Sequence, residues 1–142
     1  MKISTRSRYG ARLMLELAHH YENGPVRLSD VAESQGISLK YLEQLVIPLK
    51  KAGFVHSARG PKGGHTLAKP PKEVTLGEIV GVLEGDLNLT PCVVDPGTCD
   101  RSASCEMRDI WNAATKAMWD VLHGIRLSEL KEKGVKGQPF TI

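Results

Sequence analysis

The chain has 142 residues, of which 41% are hydrophobic and 25% charged, the proportions of an ordinary globular domain rather than of a disordered chain or a coiled-coil rod. No apolar run approaches the roughly 18–20 residues of a membrane-spanning helix, and the basic N-terminus, MKISTRSRYGARL, lacks the apolar core and cleavage site of a secretory signal. The net charge of +3 hides an asymmetry: residues 1–72 hold twelve Lys and Arg against five Asp and Glu, and residues 73–142 hold seven against eleven. A front half at +7 joined to a back half at −4 suggests a polyanion-binding module attached to a part that does not bind polyanions.

The first periodic stretch runs over residues 5–21, where Tyr9, Leu13, Met14, Leu17, Ala18 and Tyr21 recur at helical spacing. Asn23-Gly24-Pro25 ends that helix, and Val26-Arg27-Leu28 is a short extended piece. Ser29 or Asp30 can cap a short helix containing Val31 and Ala32, which Gly36 closes. Ser38 can cap the next, with Leu39, Leu42, Leu45, Val46 and Leu49 on one face and Gly53 at its end. Pro48 is expected to kink this helix or loosen its third turn. Two helices joined by a three-residue turn containing Gly have the form of a helix-turn-helix.

Two strand-like runs follow, residues 54–59 and 65–68, around the turn Gly60-Pro61-Lys62-Gly63-Gly64, and predict a β-hairpin. Lys69-Pro70-Pro71-Lys72 closes it. Thr75-Leu76-Gly77-Glu78 is a capping box that opens a helix with Ile79, Val80 and Leu83 inward and Gly85 at its end. From residue 86 to 104 periodicity vanishes among Pro91, Pro96, Gly97 and the cysteines, so this segment is expected to be a loop. A long helix resumes at Met107 with Ile110, Trp111, Ala114, Met118, Val121, Leu122 and Ile125 at 3–4 spacing. About 20 residues of helix run about 30 Å. A small domain cannot cover both Trp111 and Trp119 on such a length, so a partner helix from a second subunit is expected.

These elements define a mainly α fold with a small β-hairpin wing: a winged helix-turn-helix plus a long C-terminal dimerisation helix. The expected division is a DNA-binding domain over 1–85, a cysteine-bearing loop over 86–106, a dimerisation helix over 107–130 and a flexible tail over 131–142. In a winged helix-turn-helix the third helix enters the major groove. Its first turns offer Ser38, Lys40, Tyr41, Glu43 and Gln44, groups that can reach phosphates or base edges. Glu43 is informative, because a carboxylate facing DNA is costly unless it accepts from a cytosine amino group or excludes unwanted sequences. The wing carries Arg59 and Lys62 beside glycines, and an arginine there can enter a narrow minor groove. Lys2, Arg6, Arg8, Lys50 and Lys51 are expected to contact phosphates.

The three cysteines are an odd number crowded into one segment, which does not suit a disulfide framework and points to a cytoplasmic protein with reduced thiols. Six residues separate Cys92 from Cys99, and five separate Cys99 from Cys105. Thiolates on so short a loop can converge on one centre, and soft sulfur ligands suit iron–sulfur clusters or zinc. Paired C-x-x-C knuckles, usual for structural zinc, are absent, which favours a cluster. Zinc, or a thiol-redox switch with no cluster, is the alternative. No Ser/His/Asp array, phosphate loop or pair of catalytic carboxylates stands out, so an enzyme is not expected.

The segments ISTRSRYGARLMLELA, LSDVAESQGISLKYLEQLVIPLKKAGFVHSARGPKGGHTLAK and VTLGEIV, followed by the three-cysteine loop, closely resemble the Rrf-two-type winged-helix transcription regulators. The resemblance covers residues 2 to about 130. It implies a homodimeric regulator that binds a palindromic operator in double-stranded DNA. It further implies Ser38, Lys40, Tyr41, Glu43 and Gln44 in the reading helix, and Arg59, Gly60, Pro61, Lys62, Gly63 and Gly64 in the wing. Cys92, Cys99 and Cys105 are implied as ligands of an iron–sulfur cluster. The pattern parts from this chain at the fourth ligand. Cluster-binding members resembling it carry a histidine three positions after the third cysteine, where this sequence has Arg108, and nitric-oxide-sensing members use an N-terminal aspartate where it has Arg8. Neither guanidinium can ligate iron, which leaves the fourth donor and the choice between a 2Fe–2S and a 4Fe–4S cluster open. Asp95, Asp100, Glu106 and Asp109 are the nearby oxygen donors.

Overall fold

In the computed structural model, which describes residues 2–136, helix α1 (Thr5–His19) is capped by Ser4, whose hydroxyl accepts from the Ser7 amide. It buries Leu13, Met14, Leu17 and Ala18. Helix α2 (Leu28–Gln35) ends at Gly36, which takes the left-handed conformation (φ 63°) that a side chain resists. Neither Ser29 nor Asp30 is its cap. The helix starts two or three residues earlier, after Arg27, because Val26 is pinned in an isolated bridge to His65, with N–H···O distances of 2.9 and 2.8 Å, and the chain turns helical directly afterwards.

Helix α3 (Leu39–Lys51) is capped by Ser38, whose hydroxyl accepts from the Tyr41 amide, and it carries Pro48 as one continuous helix. Leu42, Leu45, Val46 and Leu49 face the core, whereas Leu39 is 41% exposed and does not belong to the buried face. Strands β1 (Val55–Ala58) and β2 (Gly64–Leu67) pair antiparallel, from Val55 opposite Leu67 to Ala58 opposite Gly64. A 3-10 turn, Pro71–Glu73, leads to α4 (Leu76–Glu84), where the Thr75–Glu78 capping box is fully formed.

One core unites these elements. Leu13, Leu17, Val31, Leu42, Leu49, Val55, Ile79 and Leu83 lie in a single buried cluster. Helices α1 and α4 approach so closely that a methyl added at Gly10 would overlap Leu83. The cysteine segment is not featureless: it holds the short helix α5 (Pro91–Val94) and 3-10 turns at Pro96–Thr98 and Ser102–Ser104.

The long helix and the tail depart from expectation. Helix α6 spans Glu106–Gly124 rather than 107–130. It stops because Ile125 turns extended and Arg126 forms an isolated bridge with Thr75, just before α4: Leu76 N–H donates to the Ile125 carbonyl and Leu127 N–H to the Val74 carbonyl, at 2.8 and 3.0 Å. A separate helix, α7 (Leu127–Lys136), follows and packs on α1, burying Leu127 completely in the common core. Residues 131–136 are therefore helical rather than loose; residues 137–142 of the expected tail lie outside the described residues. No helix among the described residues is long and apolar enough to cross a membrane.

Candidate nucleic-acid interface and cysteine loop

Ser38, Lys40, Glu43 and Gln44 are exposed along α3, since the helix turns its leucines inward and these positions fall on the other side. Tyr41 is half-buried, with its ring packed edge-on against Tyr9 (centroids 5.9 Å apart), and Arg12 lies over Tyr9 at 5.6 Å. Arg6 of α1 comes together with Tyr41, Gln44 and Leu45 around a hollow of about 380 Å³. Lys2, Arg8, Lys50 and Lys51 are exposed, and Arg8 donates to the Thr5 hydroxyl at 3.0 Å.

The wing is built around its glycines. Gly60 has φ 105° and its carbonyl accepts from Gly63 N–H at 2.9 Å, which closes the turn. A Cβ at Gly64 would stand 2.5 Å from the Val26 carbonyl oxygen, so only glycine lets β2 lie against that segment. Arg59, Pro61 and Lys62 are exposed at the tip. Arg27 donates from Nη2 to the Pro61 carbonyl at 2.6 Å and ties the tip back to the start of α2. No local pattern marks Arg27 as a wing residue, because its partner is 34 positions away.

Between α3 and the wing base lies a second hollow of about 380 Å³, bordered by Arg27, Leu39, Glu43, Val46, Gly64 and His65. The imidazole of His65 is held below its ordinary pKa of 6.5, first by burial and then by the charge of Lys50, and its buried Nδ1 has no hydrogen-bond partner among the described residues.

All three cysteines are free thiols: Cys92 and Cys105 are half-buried and Cys99 is exposed. Cys92 Sγ lies 3.2 Å from the Thr90 hydroxyl, and Cys105 is the residue from which α6 starts. Arg108 Nε donates to the carbonyl of Cys92 at 2.8 Å, so the residue three positions after the third cysteine binds the peptide of the first. Asp95 is used locally, accepting from Gly97 N–H. Three free thiols on one short loop are the donor chemistry of a sulfur-ligated cluster. Among the described residues, however, no three His, Cys, Asp or Glu side chains stand together as a metal-holding group.

Helix α6 divides along its length. Near its C-terminal end Trp119 donates from Nε1 to the Leu87 carbonyl at 3.0 Å, stacks on His123, and is half-buried against its own subunit. Near its N-terminal end Met107, Ile110 and Trp111 are exposed by 49, 56 and 37%.

A helix-turn-helix followed by a tethered, basic hairpin defines a winged helix DNA-binding protein. Residues 3–133 match the Rrf2 family, described as iron-dependent transcriptional regulators. The chain is 42% identical over 130 residues to the protein rrf2 of Nitratidesulfovibrio vulgaris, covering 92% of this chain and 87% of that one. Its fold is similar to CymR, the global cysteine regulator of B. subtilis (TM-score 0.80, 37% identity, 93% of this chain and 97% of that one). It is equally similar to T. potens IscR (TM-score 0.80, 35% identity, 100% and 94%). The chain belongs to the Rrf2 family of transcription regulators, and its relatives are regulators rather than enzymes.

Proposed function

We propose that the protein is a homodimeric transcription regulator of the cytoplasm whose grip on a palindromic operator is controlled by an iron–sulfur cluster held by Cys92, Cys99 and Cys105. The observation that carries the DNA half is the shared exposure of Lys40, Glu43 and Gln44 on α3 beside a wing bearing Arg59 and Lys62. Ser38, Lys40, Tyr41, Glu43 and Gln44 address the major groove, and the wing from Arg59 through Gly60, Pro61, Lys62 and Gly63 to Gly64 addresses the minor groove. Lys2, Arg6, Arg8, Lys50 and Lys51 contact phosphates, which fix register but carry no sequence information. The exposed apolar face of α6 at Met107, Ile110 and Trp111 meets its copy in the second subunit. The bound cluster would supply a redox- and supply-sensitive centre on the loop. The loop's own residues do the rest: Arg108 fixes the Cys92 peptide and Cys105 begins α6, so a change at the thiols acts on the helix directly.

A second reading, a thiol switch without a cluster, is favoured by two observations. The thiols are not gathered into a ligand set among the described residues, and Arg108 occupies itself with a backbone carbonyl. One preparation separates the two. Protein purified anaerobically is expected to contain iron and acid-labile sulfide, lost in Cys92→Ala, Cys99→Ala and Cys105→Ala, with altered operator affinity. Absence of both elements, with affinity that responds to thiol oxidation, selects the thiol switch. Lys40→Ala and Arg59→Ala are expected to weaken operator binding by about 1–3 kcal/mol each without loss of fold. Unchanged affinity in both would remove the docking proposed.

A further inference from the structure

Helix α3 turns its Leu42, Leu45, Val46 and Leu49 into the core. At about 100° per residue the opposite side carries Lys40, Glu43, Gln44, Ile47 and Lys51. Ile47 lies three residues beyond Gln44, four beyond Glu43 and four before Lys51, so these are its surface neighbours. It is 66% exposed, more than any other large apolar side chain among the described residues. A branched alkyl group at the centre of a polar, basic helix face contributes little to the fold: it lies outside the buried core cluster, and β-branching is mildly unfavourable in a helix.

The surroundings of Ile47 fit one kind of partner. Lys40, Lys50 and Lys51 supply positive charge, and Glu43 and Gln44 supply groups that read polar base edges. The major groove offers a single apolar feature, the C5-methyl of thymine. Ile47 is about 4.5 Å further along the helix than Gln44, a distance of one to two base-pair steps.

We infer that Ile47 is a specificity-determining residue that packs against a thymine methyl in each operator half-site, one to two base pairs beyond the base addressed by Gln44. This rests on the docking of α3 in the major groove proposed above.

The test uses the full-length protein. A preferred site is isolated by selection from random double-stranded DNA, and each thymine in it is replaced in turn by deoxyuridine, which removes only the methyl. Affinities are measured for the wild type, Ile47→Ala and Ile47→Val, with Lys40→Ala and Arg59→Ala alongside and thermal melts as a check on folding. One thymine per half-site is expected to cost the wild type about fourfold when demethylated, the worth of one buried methyl group. Ile47→Ala is expected to bind the unmodified site on the order of tenfold more weakly, to lose all sensitivity at that thymine and to melt like the wild type; Ile47→Val falls between. The inference is overturned if Ile47→Ala keeps wild-type affinity and site preference, or if no thymine is coupled to position 47. Should Lys40→Ala and Arg59→Ala also bind normally, the docking itself fails; if they bind weakly while Ile47→Ala does not, only the role of Ile47 fails.

Discussion

Glu84 stands 80 positions from Ser4 and accepts from the Ser4 amide and hydroxyl, at 2.6 and 2.5 Å, and from the Ser7 hydroxyl at 3.1 Å. Burial alone would raise its pKa, but these hydrogen bonds, with the charge of Arg6, hold it below the ordinary 4.5. A carboxylate with a lowered folded pKa stabilises the fold above the ordinary value, and that stability is lost as the pH falls through the lower folded one. Glu84→Gln is therefore expected to lose about 1 kcal/mol at neutral pH, with the gap to wild type closing as the pH falls below 4.5 in thermal melts. His65 works in a different window. Its folded pKa lies below 6.5, so the unfolded chain binds a proton first and stability falls as the pH drops below that value. His65→Gln is expected to flatten the stability profile just below pH 6.5 and leave the Glu84 window below pH 4.5 unchanged; a profile unchanged just below pH 6.5 would contradict the assignment. Glu43→Ala addresses selectivity at the same scale. It is expected to widen the set of bound operators more than it changes affinity for the best one, and a uniform loss across all operators would argue against discrimination.

At the scale of elements, the wing depends on contacts that cross the chain. Arg27→Ala releases the Pro61 carbonyl, and is expected to weaken operator binding about three- to tenfold, the worth of one charge-assisted hydrogen bond at an exposed site. The melting temperature should change little, so a large drop would show that Arg27 holds the fold rather than the wing. Gly64→Ala drives a methyl into the Val26 backbone, and a loss of about 1–3 kcal/mol is expected. The elements most legible in the sequence were those set by local chemistry. The Ser38 cap, the Thr75–Glu78 box and the glycine-rich hairpin turn each depend on residues within a few positions of one another. Those missed were set at long range. The α2 start follows from the Val26–His65 bridge, and the break after Gly124 follows from the pairing of residues 125–127 with the segment before α4. The same reason hid Arg27 and Arg108 at the candidate site: one side of each bond is a carbonyl far along the chain, and a backbone carbonyl leaves no mark in the sequence.

For the whole molecule, the Arg108–Cys92 bond closes a loop across 16 positions and joins the cysteine segment to the start of α6. Arg108→Ala is expected to raise amide hydrogen exchange in residues 92–105 about tenfold, with α1 to α4 unaffected. Uniform exchange throughout the chain would mean that the bond supports the core instead. The far end of α6 is fixed differently. His123 fills the space over Gly77, Trp119 is tied to Leu87, and Leu127 beyond it is sealed in the core of the DNA-binding half. Helix α6 thus has the geometry of a lever with its pivot at α4 and its handle at the cysteines. From Cys105 to His123 the arm is about 27 Å long. Moving the handle by about 2 Å rotates the rod by only about 4°, and atoms 5 Å from the pivot shift by about 0.4 Å. Force scales the other way, multiplied about fivefold. Under the proposed control by the cysteine loop, chemistry at the thiols would reach the α4 surface as a strong torque and a small displacement, a form of signal suited to a close-packed core that yields little before it changes state.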